Sequence, residues 1–118
     1  MKLWLDDLRP APEGYLHAYF VEQAISEIMR YEKEADYAMK QYILGYWSIE
    51  KAKKYIDVFT FTEISCDHDL GEGNHDGIKL LDWLEATGRN YPIHIHSMNV
   101  VGVANMRAII QRNGWKEV

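Results

Sequence analysis

With a single cysteine, Cys66, among 118 residues, the chain cannot form an internal disulfide, and its chemistry points to a reducing cytoplasm. Long hydrophobic runs are missing as well. No apolar stretch approaches the ~20 residues that a membrane-spanning helix needs, and Met1-Lys2-Leu3-Trp4 reads as the lead into a strand rather than a signal peptide. Positive charge is scarce: 13 Lys and Arg stand against 18 Asp and Glu, for a formal net charge of −5. That balance argues against binding along a long nucleic acid, which needs clustered Lys and Arg, while leaving room for a small phosphorylated or nucleotide ligand. No internal repeat or low-complexity linker divides the chain. One domain over residues 1–118 is expected, large enough to bury roughly two thirds of the surface its unfolded chain exposes.

What is present is an ordinary apolar content of 47% and a generous aromatic share of 13%. Lys2 to Leu5 reads as a first strand, and Pro10, Pro12 and Gly14 exclude a helix from the loop that follows it. Tyr15 to Phe20 reads as a short second strand. From Val21 the period changes, with Val21, Ala24, Ile25, Ile28 and Met29 spaced for an amphipathic helix. Residues 30–59 read as a helical insertion before the central strand, in two helices jointed near Gly45, with Ser48 as the N-cap of the second. Thr60 to Cys66 returns to strand character. Asp76 is the expected N-cap of a helix ending near Gly88. Ile93 to Ser97 is a further strand, Gly102 to Arg112 a last helix, and Trp115 to Val118 a short terminal strand. The alternation of strands and helices predicts an α/β three-layer sandwich on a mostly parallel sheet.

The organising stretch is Ile64-Ser65-Cys66-Asp67-His68-Asp69-Leu70-Gly71, where an apolar run ends in carboxylate, imidazole, carboxylate and glycine. Asp6-Asp7 ends the first strand in a similar way. Loops at the carboxyl ends of parallel strands bind ligands. If the two strands are neighbours, Asp6, Asp7, Asp67 and Asp69 converge. Carboxylates packed together repel and take up protons, so a divalent cation, Mg2+ or else Mn2+, is the expected companion. Imidazole titrates near neutral pH, which makes His68 and His96 candidate general acids or bases beside Asp67. Arg9, Ser97, Asn99 and the helix N-terminus near Gly102 offer donors to a phosphate. His94 reads as structural, His17 and His75 as solvated or edge residues, and Cys66 as an inert core residue. The aromatic stripe of Tyr31, Tyr42, Tyr46, Trp47 and Tyr55 reads first as packing. If exposed, it would serve base stacking or a homo-oligomer face.

These phrases together resemble response-regulator receiver domains, which have the flavodoxin-like doubly wound fold. In that family two acids after the first strand and one after the third bind magnesium, the latter accepts a phosphoryl group, and a Ser or Thr senses it. Leu5-Asp6-Asp7-Leu8-Arg9-Pro10, Asp67-His68-Asp69-Leu70-Gly71, and His96 to Gly102 with Asn105-Met106 resemble more closely a divergent branch, the cyclic-phosphate processing receivers often found in phages and bacteria. The resemblance implies a metal-dependent phosphoesterase acting on a cyclic phosphate or cyclic nucleotide. A module that sequesters a nucleotide without cleaving it and an atypical phospho-receiver are the other readings.

Overall fold

The computed structural model describes residues 1–6, 9–18, 37–70 and 76–118, with side chains from residue 46 onward in the first helix. Four strands, β1 (Lys2–Leu5), β2 (Tyr15–His17), β3 (Glu63–Cys66) and β4 (Ile93–Ile95), form one sheet in the order β2-β1-β3-β4. Every pairing is parallel. Parallel neighbours need long crossovers. Helix α1 (Tyr37–Val58) lies between β2 and β3, α2 (Ile78–Ala86) between β3 and β4, and α3 (Val100–Asn113) follows β4. The chain end then returns to the sheet: Glu117 bridges Ile93, whose N–H donates to the Lys116 carbonyl at 2.8 Å. This is the receiver-like α/β fold expected from the sequence. Among the described residues, no helix is long and apolar enough to cross a membrane.

Register explains the core. Leu3 pairs with Ile64, Leu5 with Cys66, and Ile64 with Ile93, so alternation sends these side chains to one face. All five are fully buried, in one cluster with Ile49, Ala52 and Ile56 of α1, Leu80, Leu81 and Leu84 of α2, and Met106, Ile109 and Ile110 of α3. The spacing of each helical set at three and four residues turns one stripe of each helix toward this face. Helices α2 and α3 are also clamped at the rim. Arg112 donates two hydrogen bonds to Glu85, Nε at 2.7 Å and Nη2 at 2.8 Å, and Asn113 donates another. These hydrogen bonds hold the Glu85 carboxyl down at about 2.

Several local expectations are corrected. Gly45 makes no joint, because α1 is one helix of 22 residues passing through it. A glycine inside a helix costs only ~1 kcal/mol, which burial of Ile49, Ala52 and Ile56 outweighs. Ser48 is accordingly a buried residue within α1 rather than an N-cap. The N-cap of α2 is Gly77, with no side-chain cap, not Asp76. Helix α3 begins at Val100, before Gly102, because the Asn99 side chain accepts the Gly102 N–H and starts it earlier. Strand β3 starts at Glu63 and β4 stops at Ile95, each shorter than its β-prone run. Tyr55 of the aromatic stripe packs on the core, whereas Tyr46 is exposed. The helix expected from Val21, the end of the second strand at Phe20, Tyr31, His75, and the side chain of Tyr42 lie outside what is described.

Gly114 closes α3 with φ +67, and the backbone N–H groups of Gly114 and Trp115 donate to Gln111 and Ile110. That pairing needs a left-handed residue, which costs an L-amino acid about 1–2 kcal/mol. Gly114→Ala is therefore expected to lower stability by about 1 kcal/mol in urea titration, even though no atom would crowd the added methyl.

Candidate functional site

The ladder bonds that extend the strands bring the polar residues together. Asp67 N–H donates to the Leu5 carbonyl and His96 N–H to the Cys66 carbonyl, both at 2.9 Å. Asp6, Asp67 and His96 thus each stand one residue beyond β1, β3 and β4, at the carboxyl edge. The chain runs from β1 out to β2 on one side and comes back to β3 on the other. The crevice outside that reversal is where doubly wound sheets bind ligands.

The first group of side chains is built around His96. Its Nε2 lies 2.9 Å from Asp6 Oδ2 and its Nδ1 2.7 Å from Ser65 Oγ. A carboxylate can only accept, so Nε2–H donates to Asp6, while Nδ1 shares a hydrogen bond with the Ser65 hydroxyl. The Trp4 ring stacks on the imidazole with centroids 3.8 Å apart and planes 4° from parallel. Trp4 Nε1 donates to the Arg9 carbonyl at 3.0 Å. Arg9 in turn donates its N–H to Asp6 Oδ1 at 2.9 Å, and its Nε lies 3.6 Å from Asp6 Oδ2. From β2, His17 Nε2 lies 2.7 Å from the Asp6 carbonyl oxygen. Asp6 is thereby fully buried and held on both carboxylate oxygens.

The second group is built around His68. Its Nδ1 lies 2.9 Å from Asp69 Oδ1, which also accepts Asn99 Nδ2–H at 3.1 Å. Burial works to raise the Asp69 carboxyl, but the hydrogen bonds from His68 and Asn99 outweigh it and hold the group low. Asn99 caps α3 with its side-chain oxygen, so one residue starts the helix and steadies Asp69. The His68 ring lies against Gly102, where a Cβ would come within 2.6 Å of Nδ1. On the other side, Gly77 N–H donates to the His68 carbonyl at 2.6 Å and brings Asp76 to the same loop. Ligand atoms of His68, Asp69 and Asp76 lie within 4.8 Å of one another.

Asp67 is the next residue along β3's face from Ser65 and is only 7% exposed. Burial pushes its carboxyl up, the Asp6 charge adds to this, and His96, the Asp69 backbone N–H and Arg9 oppose it. Asp67 is thus inclined to keep a proton, while the neighbouring Asp6 accepts from His96 and from the Arg9 N–H. Cys66, between them on the opposite face, has its thiol pushed up to about 12 by burial and is inert.

The remaining expected site residues are dispersed. Ser97 Oγ accepts the Asn99 N–H at 3.2 Å. The Gly102 N–H is engaged by Asn99, and Asn105 is exposed on α3. Asp7 lies outside the described residues. His94 is structural, as expected, its Nδ1 lying 2.6 Å from the Val118 carbonyl. His17 is an edge residue, as expected, at the end of the outer strand β2, where it is half-buried with its Nε2 2.7 Å from the Asp6 carbonyl oxygen. Trp4, Ser65 and Asp76 were not legible as site residues one at a time. The available signal was alternation: Trp4 and Asp6, Ser65 and Asp67, and His94 and His96 are i, i+2 pairs on one face.

Comparison with curated proteins and with solved structures finds no match. The profile of the cyclic-phosphate processing receiver domain matches residues 36–112, about two thirds of the chain. That span contains Asp67, His68, Asp69, Asp76, His96 and Asn99, while Trp4, Asp6 and Arg9 precede it. By fold, by site placement and by this match, the chain belongs to the cyclic-phosphate processing receiver domain family.

Proposed function

We propose that the domain binds a cyclic phosphate, within a nucleotide or nucleotide-like ligand, at the carboxyl edge of β1, β3 and β4 and opens the ring by hydrolysis. The observation that carries this reading is Asp67, a nearly buried carboxyl pushed up by burial and by Asp6 and standing beside the His96 imidazole at the carboxyl edge of the sheet. Ring opening adds water across one P–O ester bond. The water oxygen attacks phosphorus, its proton leaves to a base, and the departing ester oxygen gains a proton. A carboxyl raised above its ordinary value by burial holds its proton to higher pH than a free one, which suits the last of these tasks. Arg9, half exposed at the rim beside Asp6, supplies positive charge for the anionic phosphate. His96 acts through Asp6 as a positioning residue, because both ring nitrogens are already engaged.

The magnesium position implied by signalling receivers does not suit the described groups, since Asp6 already carries His96 and Arg9 on its oxygens. The reading therefore rests on this chain's own side chains. The test is incubation with cyclic mononucleotides, cyclic dinucleotides and 2′,3′-cyclic phosphates, with Mg2+ or Mn2+ supplied, followed by mass spectrometry. A product heavier by one water from one ligand class is the expected result. Ligand bound but recovered intact would replace hydrolysis with sequestration, and neither binding nor cleavage would overturn the reading.

A further inference from the structure

The Asp6 carboxylate is bonded by His96 and Arg9. A metal there would have to displace the His96 Nε2 contact at 2.9 Å, the Arg9 N–H at 2.9 Å and the guanidinium at 3.6 Å from a fully buried carboxylate. Removing such partners from a buried charge is costly. The donor set on the other side of Asp67 is different in kind. We infer that the domain holds a divalent cation between His68, Asp69 and Asp76, displaced from the receiver acid pocket toward the N-terminus of α3.

Ligand atoms of these three residues lie within 4.8 Å of one another. Atoms bound to one ion at about 2.0–2.6 Å can stand no more than roughly 4–5 Å apart, so the three can share an ion with little movement. They are also held from outside the cluster. The His68 ring lies against Gly102, where no side chain larger than hydrogen fits without moving it. Asp69 is anchored by Asn99, whose Nδ2–H donates to its Oδ1. Asp76 is brought in by the Gly77 N–H bond to the His68 carbonyl. Supporting contacts of this kind orient metal ligands and raise affinity by about 10–100-fold.

The composition of the set chooses among ions. Magnesium takes oxygen ligands and keeps most of its water, whereas one imidazole with two carboxylates suits a first-row transition ion, Mn2+ or Zn2+. The assignment does not depend on the cyclic-phosphate reading, because the ion alone is the probe.

Titration calorimetry of the full chain with Mn2+, Zn2+ and Mg2+, without any phosphate ligand, is the test. One Mn2+ or Zn2+ per chain is expected, at least tenfold tighter than Mg2+. Asp76→Asn should weaken binding by tenfold or more, and Asp67→Asn should change it less than threefold. A set of histidine proton resonances measured with substoichiometric Mn2+ provides a readout on the unmutated protein: His68 should broaden first, before His94 and His96. Equal or tighter Mg2+ binding, loss of binding in Asp67→Asn but not Asp76→Asn, broadening of His96 ahead of His68, or no binding at millimolar ion would each overturn the site. Any of these would leave the hydrolysis test to stand or fall separately.

Discussion

Asp67→Asn is expected to lose turnover by about 10²–10⁴-fold and, at pH 7, to melt at a higher temperature than the parent chain. The two effects share one cause. Burial and the Asp6 charge raise the Asp67 carboxyl above its value in the unfolded chain, so the folded state binds that proton more tightly. Between the unfolded and folded values the native state holds more protons, and stability falls as pH rises through that window. Above that window the native protein carries an ionised, nearly buried carboxylate at a cost that the neutral amide does not have. An amide oxygen can keep the backbone hydrogen bond from Asp69. The advantage of the variant should shrink as pH drops through the carboxylate range and vanish below the unfolded value. Calorimetric melts at pH 7 and pH 4, beside mass-spectrometric turnover, check both halves. Unchanged turnover would remove Asp67 from the chemistry, and a lower melting temperature at pH 7 would show that its proton affinity is not the governing cost.

Much of the fold was legible because its signals are local. Lys2 to Leu5 and Ile93 to Ile95 are short β-prone runs, and Asn113-Gly114 is a helix stop written in residue type. The errors fall where tertiary contacts override local preference. Gly45 has the propensity of a break, but α1 continues through it because Ile49, Ala52 and Ile56 have a core to fill. Asp76 has the chemistry of an N-cap, yet the cap position goes to Gly77, whose lack of a side chain lets α2 approach the Asp67–His68 backbone. Nothing at Asp76 itself could announce that approach.

The site was legible as a cluster of acids and imidazoles at strand ends, but not as two separate groups. That division depends on register. Once Trp4 is opposite Ser65 and Ser65 opposite His94, the next residues on the same face, Asp6, Asp67 and His96, must be neighbours. The spacing of each strand gives its own alternation and says nothing of how far one strand slides along another. Trp4 and Ser65 therefore escaped notice, being apolar and small polar residues inside strands. They become intelligible as site residues only when the His96 ring is seen stacked on one and hydrogen-bonded to the other. The contact of Asp6 with His96 depends on the same register, since it joins the end of β1 to the end of β4.

The tight backbone approach at Gly77 leads to the other large effect, a loss of about 2–4 kcal/mol in Gly77→Ala. An added Cβ would overlap the Asp67 carbonyl oxygen and lie 2.9 Å from its carbonyl carbon. Backbone cannot rotate out of the way as a side chain can, so α2 must withdraw, and the Gly77 N–H bond to His68 lengthens or breaks. Domain stabilities of about 5–15 kcal/mol make such a loss a substantial fraction of the whole. Gly102→Ala is the informative contrast. Its Cβ would meet the imidazole of His68, which can swing about its own side-chain torsions, and alanine returns up to about 1 kcal/mol of helix propensity. Gly102→Ala should therefore stay within about 1 kcal/mol of the parent in urea titration while the His68 resonances shift and the contact with Asp69 is lost. Gly77→Ala should show the stability loss first. Equal destabilisation by both would mean that His68 is as immovable as backbone, and no loss in Gly77→Ala would mean that α2 does not need its close seat on the Asp67 loop.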